Sequence, residues 1–156
     1  MRWVSGSFFV LSFSATLSAQ PAAAPDRAKQ LEYTRSHYTK YDYRISMRDG
    51  VKLFTSVYVP KDRTQTYPLL MERTPYSVAP YGIDNYRPVL GQSEAFEKEG
   101  FIFVYQDVRG RYLSEGQFVD VPVHKVKLAG PKDSDESTDT YAVSYTHLTL
   151  PTNREV

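Results

Sequence analysis

The chain has 156 residues, room for one ordinary domain. Its net charge of +1, with 24% charged residues, gives no electrostatic basis for a nucleic-acid partner. The 13 Tyr and 8 Phe exclude a disordered chain, and the absence of cysteine excludes a disulfide scaffold, so a hydrophobic core must hold the fold.

The first segment has the form of a secretory signal peptide over residues 1–19. Arg2 supplies the positive start, Phe8, Phe9, Val10, Leu11 and Phe13 the apolar stretch, and Ser18-Ala19-Gln20 a small-residue cleavage point. The apolar run is too short and too rich in Ser for a membrane anchor. A secreted or periplasmic protein is expected, with no membrane partner after cleavage. Residues 20–40 read as a linker, with a short helix near residues 28–33.

Residues 41–47 alternate, with Tyr41, Tyr43, Ile45 and Met47 on one side and Asp42, Arg44 and Ser46 on the other. That is the period of a half-buried strand. Asp49-Gly50 signals a hairpin turn. Residues 51–59 form the return strand, with Val51, Leu53, Thr55, Val57 and Val59 on one face, Phe54 and Tyr58 on the other, and Pro60 at its end. Residues 68–76 read Pro-Leu-Leu-Met-Glu-Arg-Thr-Pro-Tyr, an apolar run expected as a buried strand that stops at Pro75. Tyr76 then lies just beyond the carboxyl end of that strand, where ligands gather in open α/β sheets. Residues 77–91 carry Pro80, Pro88, Tyr81 and Tyr86 without periodicity and read as a long ordered loop near a binding region.

Residues 92–99 have helical spacing closed by Gly100. Phe-Ile-Phe-Val-Tyr at 101–105 fits a central strand buried on both faces. Strand, loop, helix and strand over 68–105 make a βαβ crossover and hence a parallel pair. Residues 106–111 sit at the carboxyl end of the central strand. A turn follows at Ser114-Glu115-Gly116-Gln117-Phe118, then an irregular stretch over 122–132. Residues 133–140 have the acidic composition of a helix start, and a strand at 146–150 is a weak alternative for the last segment.

No Gly-x-Ser-x-Gly pentapeptide occurs in the sequence. Ser114-Glu115-Gly116 has its second half, but Tyr112 stands where the first glycine is needed. None of His37, His124 and His147 has a triad-like context. With no cysteine, no His pair at ligand spacing and no phosphate-binding glycine loop, neither a metal nor a cofactor is expected. An electrophilic role remains. A tyrosine hydroxyl just past a strand can donate to a developing oxyanion, which makes Tyr76 the candidate catalytic residue; the alternative is one more packed core tyrosine. Asp107 and Arg109 are expected to form a strand-end ion pair that shapes the loops, or to contact substrate.

Six segments occur in order: Met47-Arg48-Asp49-Gly50-Val51-Lys52-Leu53, Glu72-Arg73-Thr74-Pro75-Tyr76, Gly100-Phe101, Gln106-Asp107-Val108-Arg109-Gly110-Arg111, Ser114-Glu115-Gly116 and Asp135-Glu136-Ser137-Thr138-Asp139. Their succession over residues 41–141 resembles the amino-terminal part of the X-Pro dipeptidyl-peptidase-like hydrolases, the family of α/β-hydrolases that includes cocaine esterase and the α-amino-acid ester hydrolases. The resemblance implies an α/β fold that begins with an antiparallel hairpin followed by a parallel βαβ unit. It implies a Ser-His-Asp triad, whose chain order places all three members beyond these segments. It also implies that Tyr76, standing at the family's Arg-x-Pro-Tyr tyrosine, gives its hydroxyl to the oxyanion hole. The implied function is a secreted serine hydrolase cleaving esters or amides of acyl or amino-acid-like small molecules.

The family pattern continues with a helix carrying a Trp, a strand and Gly-x-Ser-Tyr-x-Gly. Residues 142–156 depart from it and resemble translated sequencing-adapter DNA. The expectation is a partial hydrolase domain over 41–141, truncated before the nucleophile elbow, with a non-native tail at 142–156. Such a chain is expected to be inactive alone, its sheet stopping at the central strand with an open edge. The reading from another class is a small secreted β-rich binding module without catalysis, with Tyr81, Tyr86 and Tyr112 lining a ligand face.

Overall fold

The computed structural model describes residues 27–120, 125, 129, 130 and 132–147. The expected signal peptide and lead-in, His124, most of the 122–132 stretch and residues 148–156 lie outside these described residues. A helix, α1 (Arg27–His37), leads into β1 (Tyr38–Ser46), β2 (Lys52–Pro60) and β3 (Leu69–Thr74). A short helix, α2 (Glu94–Lys98), precedes β4 (Ile102–Asp107), and α3 (Glu136–Tyr141) runs on into a π-helical turn, Ala142–His147.

The four strands form one sheet in the order β1-β2-β4-β3. β1 and β2 are the expected antiparallel hairpin, in register from Tyr38↔Pro60 to Ser46↔Lys52. Its turn is closed by Asp49 Oδ1, which accepts from Val51 N at 3.2 Å, and by Gly50 at φ 89°, a conformation that suits glycine. β4 pairs antiparallel with β2 and parallel with β3, so the βαβ unit is also present.

Two expectations about strand placement are corrected. β3 is not a buried strand but the sheet's edge among the described residues, with Leu69 38% exposed and Glu72 exposed. Nor does the sheet stop at β4, whose six residues are all buried between two partners. The reason is compositional. The uninterrupted apolar run of β4 needs cover on both faces and both sides, whereas Glu72 and Arg73 let β3 tolerate an edge. Among the described residues the outer strands are β1 and β3, and the edge beside the parallel pair belongs to β3.

Side chains alternate between two packed faces. Ile45, Met47, Leu53, Val57, Ile102 and Val104 form one core with Ala142 and Val143. Val143 is fully buried there, so the first residues of the segment expected as a tail pack against the sheet. Tyr38, Phe54, Tyr58, Phe103 and Tyr105 form the other core, covered by Val78 and Leu90 of the 77–91 loop and by Phe96 of α2. Each fully buried aliphatic or aromatic side chain contributes roughly 1.5–3 kcal/mol.

The 77–91 loop is ordered, as its composition suggested, because a buried cation holds it. Lys40 lies in β1, which starts three residues earlier than the alternation indicated. Its Nζ donates to the carbonyls of Pro80 (2.7 Å), Gly82 (2.8 Å) and Asn85 (2.9 Å), and Asp42 lies 3.5 Å away. Burial lowers the Lys40 pKa, and Asp42 opposes that shift. Tyr81 and Tyr86 pack edge-on against Phe54 and Tyr58, with ring centroids 5.1 and 5.8 Å apart.

The end of this loop meets a second buried charge. Glu97 of α2 is 6% exposed and accepts from the Leu90 backbone nitrogen. Burial, aided by the nearby Glu94 charge, raises its pKa above the ordinary carboxylate value. The folded state then holds a proton longer than the unfolded state. Stability therefore falls as pH rises from the unfolded value, about 4.3, through the folded one. Glu97→Gln keeps the acceptor oxygen and removes the titration. Its Tm should exceed the parent's by a few degrees near pH 7 and match it near pH 3.5, as read by thermal unfolding across pH. Equal melting curves at both pH values would contradict this.

Candidate active site

The carboxyl ends of β3 and β4 lie side by side, with Thr74 opposite Asp107. Pro75 removes the donor that would extend the ladder, and the chain turns there. Tyr76 follows and is 82% exposed. Its backbone nitrogen donates back to Thr74 Oγ1 at 3.1 Å, while its phenol has no hydrogen-bond partner among the described residues. Tyr76 is thus not a packed core tyrosine.

The side chains around it are committed to structure. Asp107 is fully buried, with Oδ1 accepting from Val78 N (3.0 Å) and Oδ2 from the Tyr81 hydroxyl (2.9 Å). Ser77, at φ 83°, places its hydroxyl 3.0 Å from that of Tyr81. Arg111 Nε donates to the Pro75 carbonyl at 3.0 Å. Ser114 is buried, donating to the Asp107 carbonyl (2.6 Å) and accepting from Phe54 N (2.8 Å), so it is a strut and not a free nucleophile.

Asp107 and Arg109 do not pair, contrary to expectation. β4 ends at Asp107, so Arg109 lies beyond the strand and its pleat does not hold the two on one face, while Asp107 turns to the face covered by the 77–91 loop. Arg109 instead grips two carboxylates on the α3 side. Its Nε and Nη2 donate to Asp139 at 2.6 and 2.8 Å, and Nη1 and Nη2 donate to Asp49 at 2.7 and 3.1 Å. Gly110 follows at φ 65°, where any Cβ would overlap the Phe118 backbone nitrogen.

Sequence reasoning missed the rest of this network. Arg73 Nε donates to Gln106 Oε1 (2.8 Å), and Gln106 Nε2 donates to Thr55 Oγ1 (2.8 Å) across the sheet. Arg73 also pairs with Glu136, and its Nη2, buried without a hydrogen bond, lies 3.8 Å from Asp139. A cleft of about 310 Å³ opens beside Arg109, Phe118, Asp135 and Glu136, and Tyr76 is not among the residues that line it. Lys40 was also missed, although Lys40 and Asp42 stand two apart in a strand and so share a face.

The tyrosines of the binding-face reading do not form a face. Tyr81 bonds Asp107, and the Tyr86 hydroxyl accepts from Lys40 N at 3.1 Å, which leaves only Tyr112 exposed, at 55%. Of the histidines, His37 ends α1, its ring stacked on Tyr33 at 4.0 Å, and His147 lies in the π-helical turn.

The family description X-Pro dipeptidyl-peptidase (S15 family) matches residues 49–144. Cocaine esterase from Rhodococcus sp. (strain MB1 Bresler) is 35% identical over 75 residues, which are 48% of this chain and 12% of the esterase. An aminopeptidase from a marine-sediment Thaumarchaeota archaeon superposes with a TM-score of 0.58 at 30% identity, over 90% of this chain and 23% of its own. A selenomethionine-labelled α-amino acid ester hydrolase gives a TM-score of 0.55 at 30% identity, over 86% and 21%. The chain thus spans less than a quarter of the length of each of these relatives.

Proposed function

Since the chain belongs to the X-Pro dipeptidyl-peptidase (S15) family, we propose that it forms the opening strands of a serine hydrolase acting on esters or amides of acyl or amino-acid-like compounds. Tyr76 is the oxyanion donor in this reading. When a serine attacks a substrate carbonyl, the carbonyl oxygen gathers negative charge, and a fixed O–H aimed at it lowers the barrier. The observation that carries the reading is contrast. Asp107, Arg109 and Ser114 are buried or paired, whereas the Tyr76 phenol stands free just past β3. A side chain kept exposed on a braced backbone suits contact with a ligand better than packing.

The amino-terminal pattern of Arg2, the apolar stretch and Ser18-Ala19-Gln20 supports export, to the periplasm or the medium. One experiment tests class and location together. A fluorophosphonate probe, which reacts with activated serines, is applied to the 156-residue chain and to the product of the full reading frame at its locus. The reading predicts no labelling of the 156-residue chain, which has no Gly-x-Ser-x-Gly, and labelling of the locus product outside the cytosol. An unlabelled locus product would overturn the hydrolase, and a labelled cytosolic one would overturn export alone.

A further inference from the structure

We propose that Arg111 is the positioning residue that fixes the backbone of Tyr76, an inference that rests on the oxyanion role given to Tyr76 above. Beyond the end of β3 the Pro75 carbonyl has no ladder partner, and a backbone acceptor left unpaired in a folded loop tends to wander or be resolvated. Arg111 Nε supplies that partner at 3.0 Å, on the peptide group that joins Pro75 to Tyr76. Two residues downstream, Val78 N is bonded to Asp107 Oδ1 at 3.0 Å. Tyr76 therefore lies between two anchors, both sent from the exit of β4.

The segment between the anchors needs holding. Ser77 sits at φ 83°, a left-handed conformation that costs a non-glycine residue of order 1–3 kcal/mol. Without restraint the turn would relax toward φ below zero and swing the Tyr76 side chain away. Arg111 is itself fixed. Its guanidinium lies 4.9 Å from the Phe118 ring and 5.4 Å from the Tyr112 ring, and its backbone nitrogen donates to the Val108 carbonyl at 3.1 Å. Unlike Arg73 and Arg109, it pairs with no carboxylate among the described residues. Its charge is thus free to serve the Pro75 carbonyl, and the guanidinium held over two rings presents Nε in one direction.

The test is backbone 15N relaxation on the full 156-residue chain, for the parent, Arg111→Met and Arg111→Lys. In the parent, the Tyr76 and Ser77 amides should show order parameters of about 0.85. In Arg111→Met they should fall below about 0.6, while Leu53 and Val104 in the sheet stay at the parent value. Arg111→Lys should recover part of the loss, because an ammonium can still donate one bond but has no guanidinium to hold over the two rings. Parent-like order at Tyr76 and Ser77 in Arg111→Met would overturn the proposal, and so would a loss that spreads equally to Leu53 and Val104 or an unfolded variant. This readout does not depend on what the phenol does. If Tyr76→Phe leaves turnover intact, the oxyanion reading fails while the positioning result stands. A rigid Tyr76 in Arg111→Met fails the positioning alone.

Discussion

Arg109→Met is expected to lower stability by about 3–5 kcal/mol at neutral pH, because it strands two carboxylates that the arginine now holds. Asp139 is 1% exposed and receives two bonds from Arg109. In the variant it keeps only the distant Arg73 Nη2, at 3.8 Å. Asp49 loses both of its bonds from the guanidinium, and with them the tie between the β1–β2 turn and the exit of β4. The cost should depend on pH in a definite sense. The Arg109 bonds hold the Asp49 carboxyl below the ordinary carboxylate range in the folded state. A depressed folded pKa contributes stability that is complete above the unfolded value, about 4, and is lost as pH falls through the folded one. The gap between parent and variant should therefore narrow as the solution is acidified below about pH 4. Urea unfolding followed by circular dichroism at pH 7 and pH 3 measures both gaps. A cost under about 1 kcal/mol at pH 7 would mean the pairs behave as solvated surface contacts.

The sheet was legible wherever one residue's chemistry decided its own place. The alternation of Tyr41, Ile45 and Met47, the Asp49-Gly50 turn and the apolar run of β4 each predict a strand or turn that the chain forms. What was not legible depends on distant partners. Leu69, Leu70 and Met71 read as a buried strand, yet β3 lies at the edge because β4 takes the place beside β2. The charges of Glu72 and Arg73 were the local sign of an edge, and the apolar triplet before them masked it. Lys40 looked like part of a polar leader, and only the approach of residues 80–85 makes it a buried cation. Asp107 and Arg109 invited a pairing by proximity, but β4 ends at Asp107, the chain turns before Arg109, and each found its partners elsewhere. Tyr76 was legible as a position past a strand end. That its phenol meets no hydrogen-bond partner among the described residues required the fold.

Tyr76→Phe is the second large effect and separates function from folding. The substitution removes one hydroxyl from a side chain that is 82% exposed. Stability should change by no more than about 0.5 kcal/mol. If the hydroxyl serves the transition state, its removal should lower kcat by about 10²–10³, equal to about 2.7–4 kcal/mol, the scale seen on deleting one oxyanion donor. KM should change little, since the ground-state carbonyl gains less from the donor than the charged intermediate does. A tyrosine that only lined the pocket would act the other way, raising KM with kcat intact.

The direct measurement is steady-state hydrolysis of a p-nitrophenyl ester by the product of the full reading frame, parent against Tyr76→Phe, with urea unfolding of both. A kcat lower by about two to three orders of magnitude at unchanged stability is the predicted result. Equal kcat in the two proteins would show that the phenol beyond β3 takes no part in stabilising the oxyanion.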